Sequence, residues 1–571
     1  MGFSSRNGDR FSALERAIAA DLDPFGIVGP LVHAQLAWLT HPAQLVQAAA
    51  GLTSDILALQ THAWLRMLGF RSKDVIEVKA DDNRFSDPEW SRSPAWDVLK
   101  EWYLLVTHAV QDCVYRTPGL PEKERRRVAF WLRNFLNALA PTNFLWTNPV
   151  ALRKAYETRG ESLLHGLQNL LRDVKAGSVR MVEPHAFSVG TNLATTPGKV
   201  VLRNRLLEVI HYVPTRPTNY EKPVVIVTPW INKYYVLDLK PEKSLVRFLL
   251  DEGYSVFITS WKNPTAEMCD VRFDDYVTDG VGAIVECARR ASGVDKVHAV
   301  GYCIGGAAVT TYMAWANRHY PAAEVPVATV TLLTTLVDYE EAGEIEVFLD
   351  DATLSLLSSA MKQRGYLDGN AMASAFRLLR SNSLIWHYVV HDYLYGEPLP
   401  AFDVLYWNMD TTRMPAAMHE WYLRELYVEN RLVQKDALTV AGERIDLGAI
   451  VQPLYAVSAE EDHIAPWRST FRVNAHVCGT RRFVLSSSGH ILGIVNPVVT
   501  PPKREYWVAE ADGCETPEAW RTRAEHRSGT WWEDWSAWLG PQSGERIAAR
   551  PVDSDACPAL ADAPGTYVLE S

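Results

Sequence analysis

Residues 10–180 carry apolar side chains three and four positions apart, with almost no alternation of the kind that marks strands. A typical stretch is LVHAQLAWLTHPAQLVQAAAGLTSDILALQTHAWLRMLGF. This spacing places the apolar side chains on one face of a helix. The pattern predicts a mainly helical N-terminal domain over residues 1–185, whose apolar faces pack on each other, on a partner or on a lipid-like surface.

From about residue 185 the chain changes to short runs of β-branched and aromatic residues, separated by helix-like stretches such as SLVRFLLDEG and VGAIVECARRAS. The predicted strands are VVLRNRLLEVIHYV, PVVIVTP, YSVFITSW, KVHAVGY, ATVTLLTTLVDY, QPLYAVSAEED and RRFVLSSSGH. Apolar strands that alternate with helices are typical of a mainly parallel sheet covered on both faces. We therefore expect an α/β domain over residues 186–571.

One interval, residues 340 to about 435, interrupts this alternation with helix formers and aromatic residues. Insertions in α/β enzymes usually arise at the carboxyl ends of the strands, where ligands bind. The interval is therefore predicted to form a helical lid over the site. The alternative is an extra helical layer remote from it.

Composition and charge narrow the class of protein. The 57 basic and 68 acidic residues give a net charge of −11, which argues against a nucleic-acid binder. The seven cysteines show neither CxxC pairs nor metal-ligand spacing, as expected of free thiols in a reducing cytosol and of a protein without a metal site. No apolar run reaches about 18 residues and the N-terminus lacks the apolar core of a signal peptide. We expect a cytoplasmic protein without a transmembrane segment.

The candidate chemistry begins at residues 298–306, which read HAVGYCIGG. Gly301 and Gly305 flank Cys303 in the spacing that esterases use to flank a serine at a tight strand-to-helix turn, the nucleophile elbow. With 33 Gly and 7 Cys in the chain, about 0.02 such matches are expected by chance. The motif predicts an α/β-hydrolase fold with a cysteine nucleophile; the alternative is a buried, inert cysteine.

An elbow of this kind requires an acid and then a histidine, each after a later strand. Asp462 follows the predicted strand LYAVSA, and His490 follows RRFVLS. Glu460 and Glu461 compete for the role of acid, and His463 is given a structural role because a turn at the strand end directs it away from the pocket. The order predicts a catalytic triad of Cys303, Asp462 and His490.

Acyl transfer also needs backbone N–H donors for the developing oxyanion. One is the N–H after the nucleophile, that of Ile304. The second is expected in the loop TPWINKYYVLD, from Trp230, Ile231 or Asn232. The sequence does not distinguish these three.

Several segments resemble polyhydroxyalkanoate synthases: PWINKYYVLDL, GYCIGG, TLLTTLVDY, EDHIAPW, SSGHILGIVNP and GTWWEDWSAWL. The length of the chain resembles that of class I synthases. Tyr302 also favours class I, because class II synthases have a smaller residue at this position. The resemblance implies polymerisation of (R)-3-hydroxyacyl-CoA, above all 3-hydroxybutyryl-CoA, into polyester with release of CoA. The family's nucleophile, acid and base fall on Cys303, Asp462 and His490, and no cofactor is implied beyond the CoA that the substrate carries.

The same resemblance implies a homodimer at cytoplasmic polyester granules, an N-terminal region that assists granule association, phasin-like proteins as partners and a lid that moves. Two other functions stay open. One is a thiol-dependent depolymerase or acyl-CoA thioesterase with the same triad. The other is a non-catalytic granule scaffold. The sequence also leaves open whether Asp462 orients His490 or acts on the 3-hydroxyl, and whether elongation uses one site or two.

Further side chains are candidates around this site. Tyr406 and Trp407 are predicted to exclude water, and Arg380 to bind the CoA phosphates. The tryptophans of residues 529–539 are expected to anchor a terminal helix on the core. The tail after residue 545 is rich in Pro, Ala and Asp and is expected to be loosely ordered.

Overall fold

The computed structural model describes residues 27–70, 72–78, 82–177 and 179–571. These residues form two compact units. We call the first the helical unit; it comprises the described residues up to Glu183, with Asp350–Leu356 and Ser374–Pro400. The second, the sheet unit, comprises Pro184–Leu349, Leu357–Ala373 and Ala401–Ser571. The predicted insertion is thus divided between the two units, a division that periodicity along the chain does not reveal.

The helical unit is built from amphipathic helices, as the apolar periodicity predicts. Proline in the first turn starts three of them, where its missing N–H would have no helical acceptor. One buried cluster is formed by Phe85, Trp90, Tyr103, Leu104, Ala140 and Val150. The helices before residue 180 are Val28–Thr40, Pro42–Met67, Glu89–Arg92, Pro94–Tyr115, Glu122–Ala138, Pro149–Glu157 and Glu161–Ala176. Within the described residues, no helix combines the length and apolarity needed to cross a bilayer.

The strands of the sheet unit are β1 Gly198–Arg203, β2 Leu207–Tyr212, β3 Thr218–Tyr220, β4 Val224–Val227, β5 Val256–Trp261, β6 Val297–Tyr302, β7 Val327–Leu333, β8 Tyr366–Leu367, β9 Met414–Pro415, β10 Thr439–Val440, β11 Glu443–Arg444, β12 Leu454–Ala459, β13 Arg481–Ser486, β14 Glu505–Glu510, β15 Glu525–Ser528, β16 Arg546–Ala548 and β17 Ala561–Asp562. Eleven of them form one sheet of order β15-β14-β13-β12-β7-β6-β4-β5-β2-β1-β17. The centre of this sheet, from β13 to β5, is parallel, and antiparallel strands extend both edges.

Four of the central strands, β4, β5, β6 and β12, are buried along their whole length, as expected of a parallel sheet with helices on both faces. The α/β-hydrolase fold with a preceding helical region is therefore confirmed. The other α-helices are Leu245–Glu252, Phe273–Asp275, Ala283–Ser292, Ile304–His319, Asp351–Arg364, Gly369–Leu379, Asp403–Met409, Ala416–Trp421, Trp467–Phe471, Val473–His476, Pro517–Arg523 and Trp531–Leu539, with π-helical turns at Tyr276–Gly282, Asn382–Trp386, Val389–Leu394 and Tyr422–Val428.

The tail after residue 545 was expected to be loosely ordered, and this expectation is wrong. The strand Arg546–Ala548 pairs with β3, and Ala561–Asp562 pairs with β1. The buried carboxylate of Glu208 accepts hydrogen bonds from the backbone N–H groups of Thr566 and Tyr567. The tail owes its order to partners more than 300 positions earlier in the chain, which its own composition cannot show.

Candidate active site

Cys303 lies at the bend between β6 and the helix Ile304–His319, with φ of 53° and ψ of −123°. This conformation is strained for a residue with a side chain, and such strain concentrates at functional sites. A Cβ on Gly305 would lie 2.5 Å from the Val227 carbonyl oxygen, and one on Gly301 would lie 2.4 Å from Cα of Gly306. The glycines are therefore required because the bend presses directly against β4 and its own helix.

The helix that follows Cys303 gives the thiol a positive electrostatic environment. Ile304 is the first helical residue, so its N–H has no acceptor within the helix. The partial positive charge at a helix N-terminus favours thiolate over thiol. Cys303 is half-buried, which leaves its sulfur reachable by a substrate.

Asp462 and His490 follow β12 and β13, two neighbouring parallel strands whose carboxyl ends meet at one edge of the sheet. The Nδ1–H of His490 donates to Asp462 Oδ2 over 2.6 Å. Asp462 Oδ1 accepts from the N–H groups of Ile464 and Ala465 at 2.8 and 2.9 Å. Both carboxylate oxygens are thus occupied, and the imidazole is held with Nε2 free to serve Cys303.

The charge state of His490 follows from its two anionic neighbours. Burial alone would lower the pKa of His490, but Asp462 and Cys303 outweigh it and raise that pKa to about 10. Cys303 thus lies close enough to His490 to contribute to this increase in the pKa. The raised pKa keeps the imidazole protonated at neutral pH, so that it can serve as a proton donor.

The loop that carries His490 is fixed by aromatic side chains. The Tyr302 ring stacks on the imidazole at 5.7 Å, and its hydroxyl donates to the His490 carbonyl. The indole N–H groups of Trp531 and Trp532 donate to the carbonyls of Gly493 and Ile494, each at 3.0 Å. The predicted anchoring of the tryptophan helix therefore extends to the histidine loop itself.

Three buried or half-buried tyrosines near Cys303 were missed by sequence reasoning. The ring centroids of Tyr339 and Tyr427 are 4.6 Å apart, and those of Tyr422 and Tyr427 are 5.4 Å apart. Burial raises the pKa of each phenol, and the charge on Cys303 adds to the shift. We call this group the tyrosine wall. Nothing in their spacing along the chain distinguishes these tyrosines from the other 20.

The other predicted side chains have defined places. Glu460 binds Arg521 at 2.9 Å, so Asp462 and not this neighbour contacts His490. Trp407 is buried, and its indole N–H donates to the Lys233 carbonyl over 2.6 Å. The Tyr406 ring packs against Phe187 at 5.4 Å. Arg380 belongs to the helical unit, so its contact with CoA, like the shielding roles of Tyr406 and Trp407, stays a prediction.

The loop after β4 carries the candidate oxyanion donors Trp230, Ile231 and Asn232. It begins beside the elbow, because the Thr228 carbonyl oxygen lies 2.7 Å from the position of a Cβ on Gly305. Within the described part of the chain, the backbone N–H groups of these three residues make no hydrogen bond to another backbone group. All three therefore stay candidates for the oxyanion donor.

One group of carboxylates in the helical unit has metal-like geometry. Oxygens of Asp74, Asp97 and Glu101 lie within 4.8 Å of one another. The Lys100 ammonium lies 3.3, 3.1 and 3.4 Å from these three groups. The Arg66 guanidinium also lies 2.7 Å from Asp97, so two cations offset part of the negative charge and the cluster forms an ion-pair network.

Comparisons with known proteins agree with this architecture. Residues 81–249 match the family described as Poly-beta-hydroxybutyrate polymerase (PhaC) N-terminus, and residues 222–497 match the alpha/beta hydrolase fold. The chain is 39% identical over 540 residues to the Poly(3-hydroxyalkanoate) polymerase of Methylorubrum extorquens, covering 93% of this chain and 88% of that protein. It is 38% identical over 533 residues to the Poly(3-hydroxyalkanoate) polymerase subunit PhaC of Cupriavidus necator, covering 92% and 88%. Among solved structures, a monoacylglycerol lipase of Paleococcus ferrophilus matches 59% of this chain and 99% of its own, with 13% identity and a TM-score of 0.31.

Proposed function

Since this chain belongs to the poly(3-hydroxyalkanoate) polymerase (PhaC) family, we propose that it polymerises (R)-3-hydroxyacyl-CoA, chiefly 3-hydroxybutyryl-CoA, into polyester and releases CoA. The observation that carries the proposal is the elbow cysteine beside the hydrogen-bonded His490–Asp462 pair. This arrangement supplies a nucleophile, a proton carrier and an orienting carboxylate in one place.

In the first step, the Cys303 thiolate attacks the carbonyl carbon of the substrate thioester. The bond between that carbon and the CoA sulfur breaks, and the His490 imidazolium gives its proton to the departing CoA thiolate. One thioester replaces another at nearly equal free energy, so the acyl group stays reactive. A serine nucleophile would hold it as a less reactive oxygen ester.

In the second step, the 3-hydroxyl oxygen of another hydroxyacyl thioester attacks the carbonyl carbon of the acyl group on Cys303. An ester bond forms, the bond between that carbon and the Cys303 sulfur breaks to release the Cys303 thiolate, and the lengthened chain stays on the thioester of the attacking acyl group. Acylation has neutralised the sulfur, which removes one of the two attractions that raise the pKa of His490. The imidazole formed when CoA leaves is therefore a base suited to accept the hydroxyl proton. Because His490 and two backbone N–H groups occupy both oxygens of Asp462, the orienting role is favoured over direct action on the hydroxyl.

Shielding from water separates a polymerase from a thioesterase or depolymerase with the same triad. Asp462 and His490 are 7% and 9% exposed, and the charge on Cys303 adds to the increase in the pKa of the phenols of the tyrosine wall. A dry pocket slows hydrolysis of the acyl-enzyme and leaves the 3-hydroxyl as the nucleophile. The Tyr302 ring also fills space against His490, which supports a short-chain substrate.

The test of this function follows both products of the purified enzyme. With 3-hydroxybutyryl-CoA we expect CoA release to be matched mole for mole by polymerised 3-hydroxybutyrate, measured by thiol titration and by gas chromatography of the polymer. An equal mixture with a medium-chain substrate should yield polymer rich in the short monomer. Enzyme alkylated by iodoacetamide is the control and should release no CoA. Mainly free 3-hydroxybutyrate would establish the hydrolase instead.

Granule association is supported by an apolar stripe on the helical unit. On the helix Glu161–Ala176 the side chains of Leu164, Leu167, Leu171 and Val174 are between 51% and 71% exposed. Their spacing places them along one face. An apolar polyester surface would bury this stripe with a gain of free energy proportional to its area.

We expect the double substitution Leu167→Glu and Leu171→Glu to lower the granule-bound fraction of the enzyme at least about fivefold, because each glutamate must leave water to remain at an apolar surface. Sedimentation of purified granules after mixing measures that fraction. Val451→Glu, on a side chain of the sheet unit that is 58% exposed, is the matched control. Light scattering of the same variants tests the homodimer that the family resemblance implies. An unchanged granule-bound fraction, or loss of the dimer without loss of granule binding, would contradict the assignment of this stripe to granule binding.

A further inference from the structure

A segment of the predicted insertion donates hydrogen bonds to backbone carbonyls of the loop after β4, which carries the candidate oxyanion donors. The Thr412 hydroxyl donates to the Trp230 carbonyl over 2.5 Å, and the Thr412 N–H donates to the Ile231 carbonyl over 3.4 Å. Two residues further along the loop, the Lys233 carbonyl accepts from Trp407. The carbonyls of this loop therefore face the insertion.

The orientation of these carbonyls fixes the orientation of the N–H groups. In a trans peptide the C=O of one residue and the N–H of the next lie in one plane and point in opposite directions. Because the Trp230 carbonyl points at Thr412, the Ile231 N–H points away from it. By the same geometry, the Asn232 N–H is also directed away from Thr412. These are two of the three N–H groups predicted as oxyanion donors.

Thr412 is itself held in place. Its side chain is 4% exposed. The N–H of the next residue, Arg413, donates to Asn263 Oδ1 over 2.9 Å. The N–H of Asn263 in turn donates to Glu570 over 3.2 Å. A buried hydroxyl fixed in this way can hold its carbonyl acceptor at a constant angle.

We infer that Thr412 is a positioning residue for acyl transfer to Cys303. Its hydroxyl and N–H hold the carbonyls of Trp230 and Ile231 so that an N–H of the next peptides, that of Ile231 or of Asn232, donates to the oxyanion together with that of Ile304. The inference rests on the proposed function, because only a reaction at a carbonyl carbon develops such an oxyanion. It favours Ile231 and Asn232 among the three candidates that sequence reasoning left open.

The test separates carbonyl chemistry from simple reactivity of the sulfur. Thr412→Val removes the hydroxyl with little change of shape, Thr412→Ser restores a hydroxyl, and Thr411→Val makes the same change at the neighbouring residue. Single-turnover acylation of Cys303 by 3-hydroxybutyryl-CoA is followed by mass spectrometry of quenched enzyme. Alkylation by iodoacetamide is measured beside it, because displacement of iodide forms no oxyanion.

We expect Thr412→Val to slow acylation at least about tenfold, since loss of a whole oxyanion donor lowers kcat about 10²- to 10³-fold and this change misaligns one. Its alkylation rate should stay within twofold of the wild type. Thr412→Ser and Thr411→Val should acylate within about threefold of the wild type. If Thr412→Val does not fold, Trp407→Phe removes the donor to the Lys233 carbonyl and should likewise slow acylation but not alkylation.

Two results would overturn the inference alone: wild-type acylation rates in Thr412→Val, or a parallel loss of acylation and alkylation, which would indicate a general disturbance of the site. Absence of any acyl adduct on wild-type Cys303 is a different outcome, since it removes the proposed function itself.

Discussion

Replacement of Cys303 by alanine should abolish CoA release, with a loss of about 10⁶-fold, the effect seen when the nucleophile is removed from an enzyme that acts through a covalent intermediate. Cys303 is the residue that the strained bend holds at the start of the helix Ile304–His319. Cys303→Ser should retain less than about 1% of the activity, because a hydroxyl gives up its proton far less readily than a thiol and forms a less reactive ester.

The measurement is thiol titration of released CoA, together with mass spectrometry of enzyme quenched during turnover with labelled monomer. Wild-type enzyme should carry the label on the peptide that contains Cys303. Cys514→Ala, at an exposed cysteine, is the matched control and should keep full activity. Normal turnover in Cys303→Ala, or a label elsewhere in the chain, would remove the thioester mechanism.

The elbow could be predicted because its constraints are local. The two glycines beside the cysteine are required because a larger side chain would clash with residues a few positions away or with one adjacent strand. Asp462 and His490 could be predicted because chain order and strand position are visible in the sequence. The structure brings these two side chains into contact, while Glu460 binds Arg521.

The tyrosine wall and Thr412 could not be predicted in the same way. They lie in or beside an insertion without strand periodicity, and their positions depend on contacts within the sheet unit between residues far apart in the chain. Tyr422 and Tyr427 reach the site from a π-helical turn, a local geometry that apolar spacing does not report. Thr412 acts through its hydrogen bond to Trp230, which lies 182 residues earlier in the chain.

The Asp462–His490 pair gives the second large expected effect. Asp462→Asn keeps the shape of the side chain and an oxygen for the N–H groups of Ile464 and Ala465. Its amide NH₂ then faces Nδ1 of His490, which forces the ring proton onto Nε2, the nitrogen needed as the base. In a serine protease triad the same change lowers kcat about 10⁴-fold through the wrong tautomer. We expect a loss of similar size here, and Glu460→Gln, two positions away, should be near wild type.

The pH dependence distinguishes this electrostatic role from simple packing. The first acyl transfer needs the imidazolium, which is present below the pKa of His490 and lost above it, so single-turnover acylation by wild-type enzyme should fall only as the pH rises through about 10. Asp462→Asn removes one of the two attractions while the burial of His490 remains, and the pKa of His490 must therefore decrease. The residual acylation of the variant should decline at a lower pH, and its alkylation by iodoacetamide at pH 7 should slow because an uncharged imidazole no longer stabilises the thiolate. Equal upper limits of the two pH profiles would show that Asp462 does not set the charge of His490.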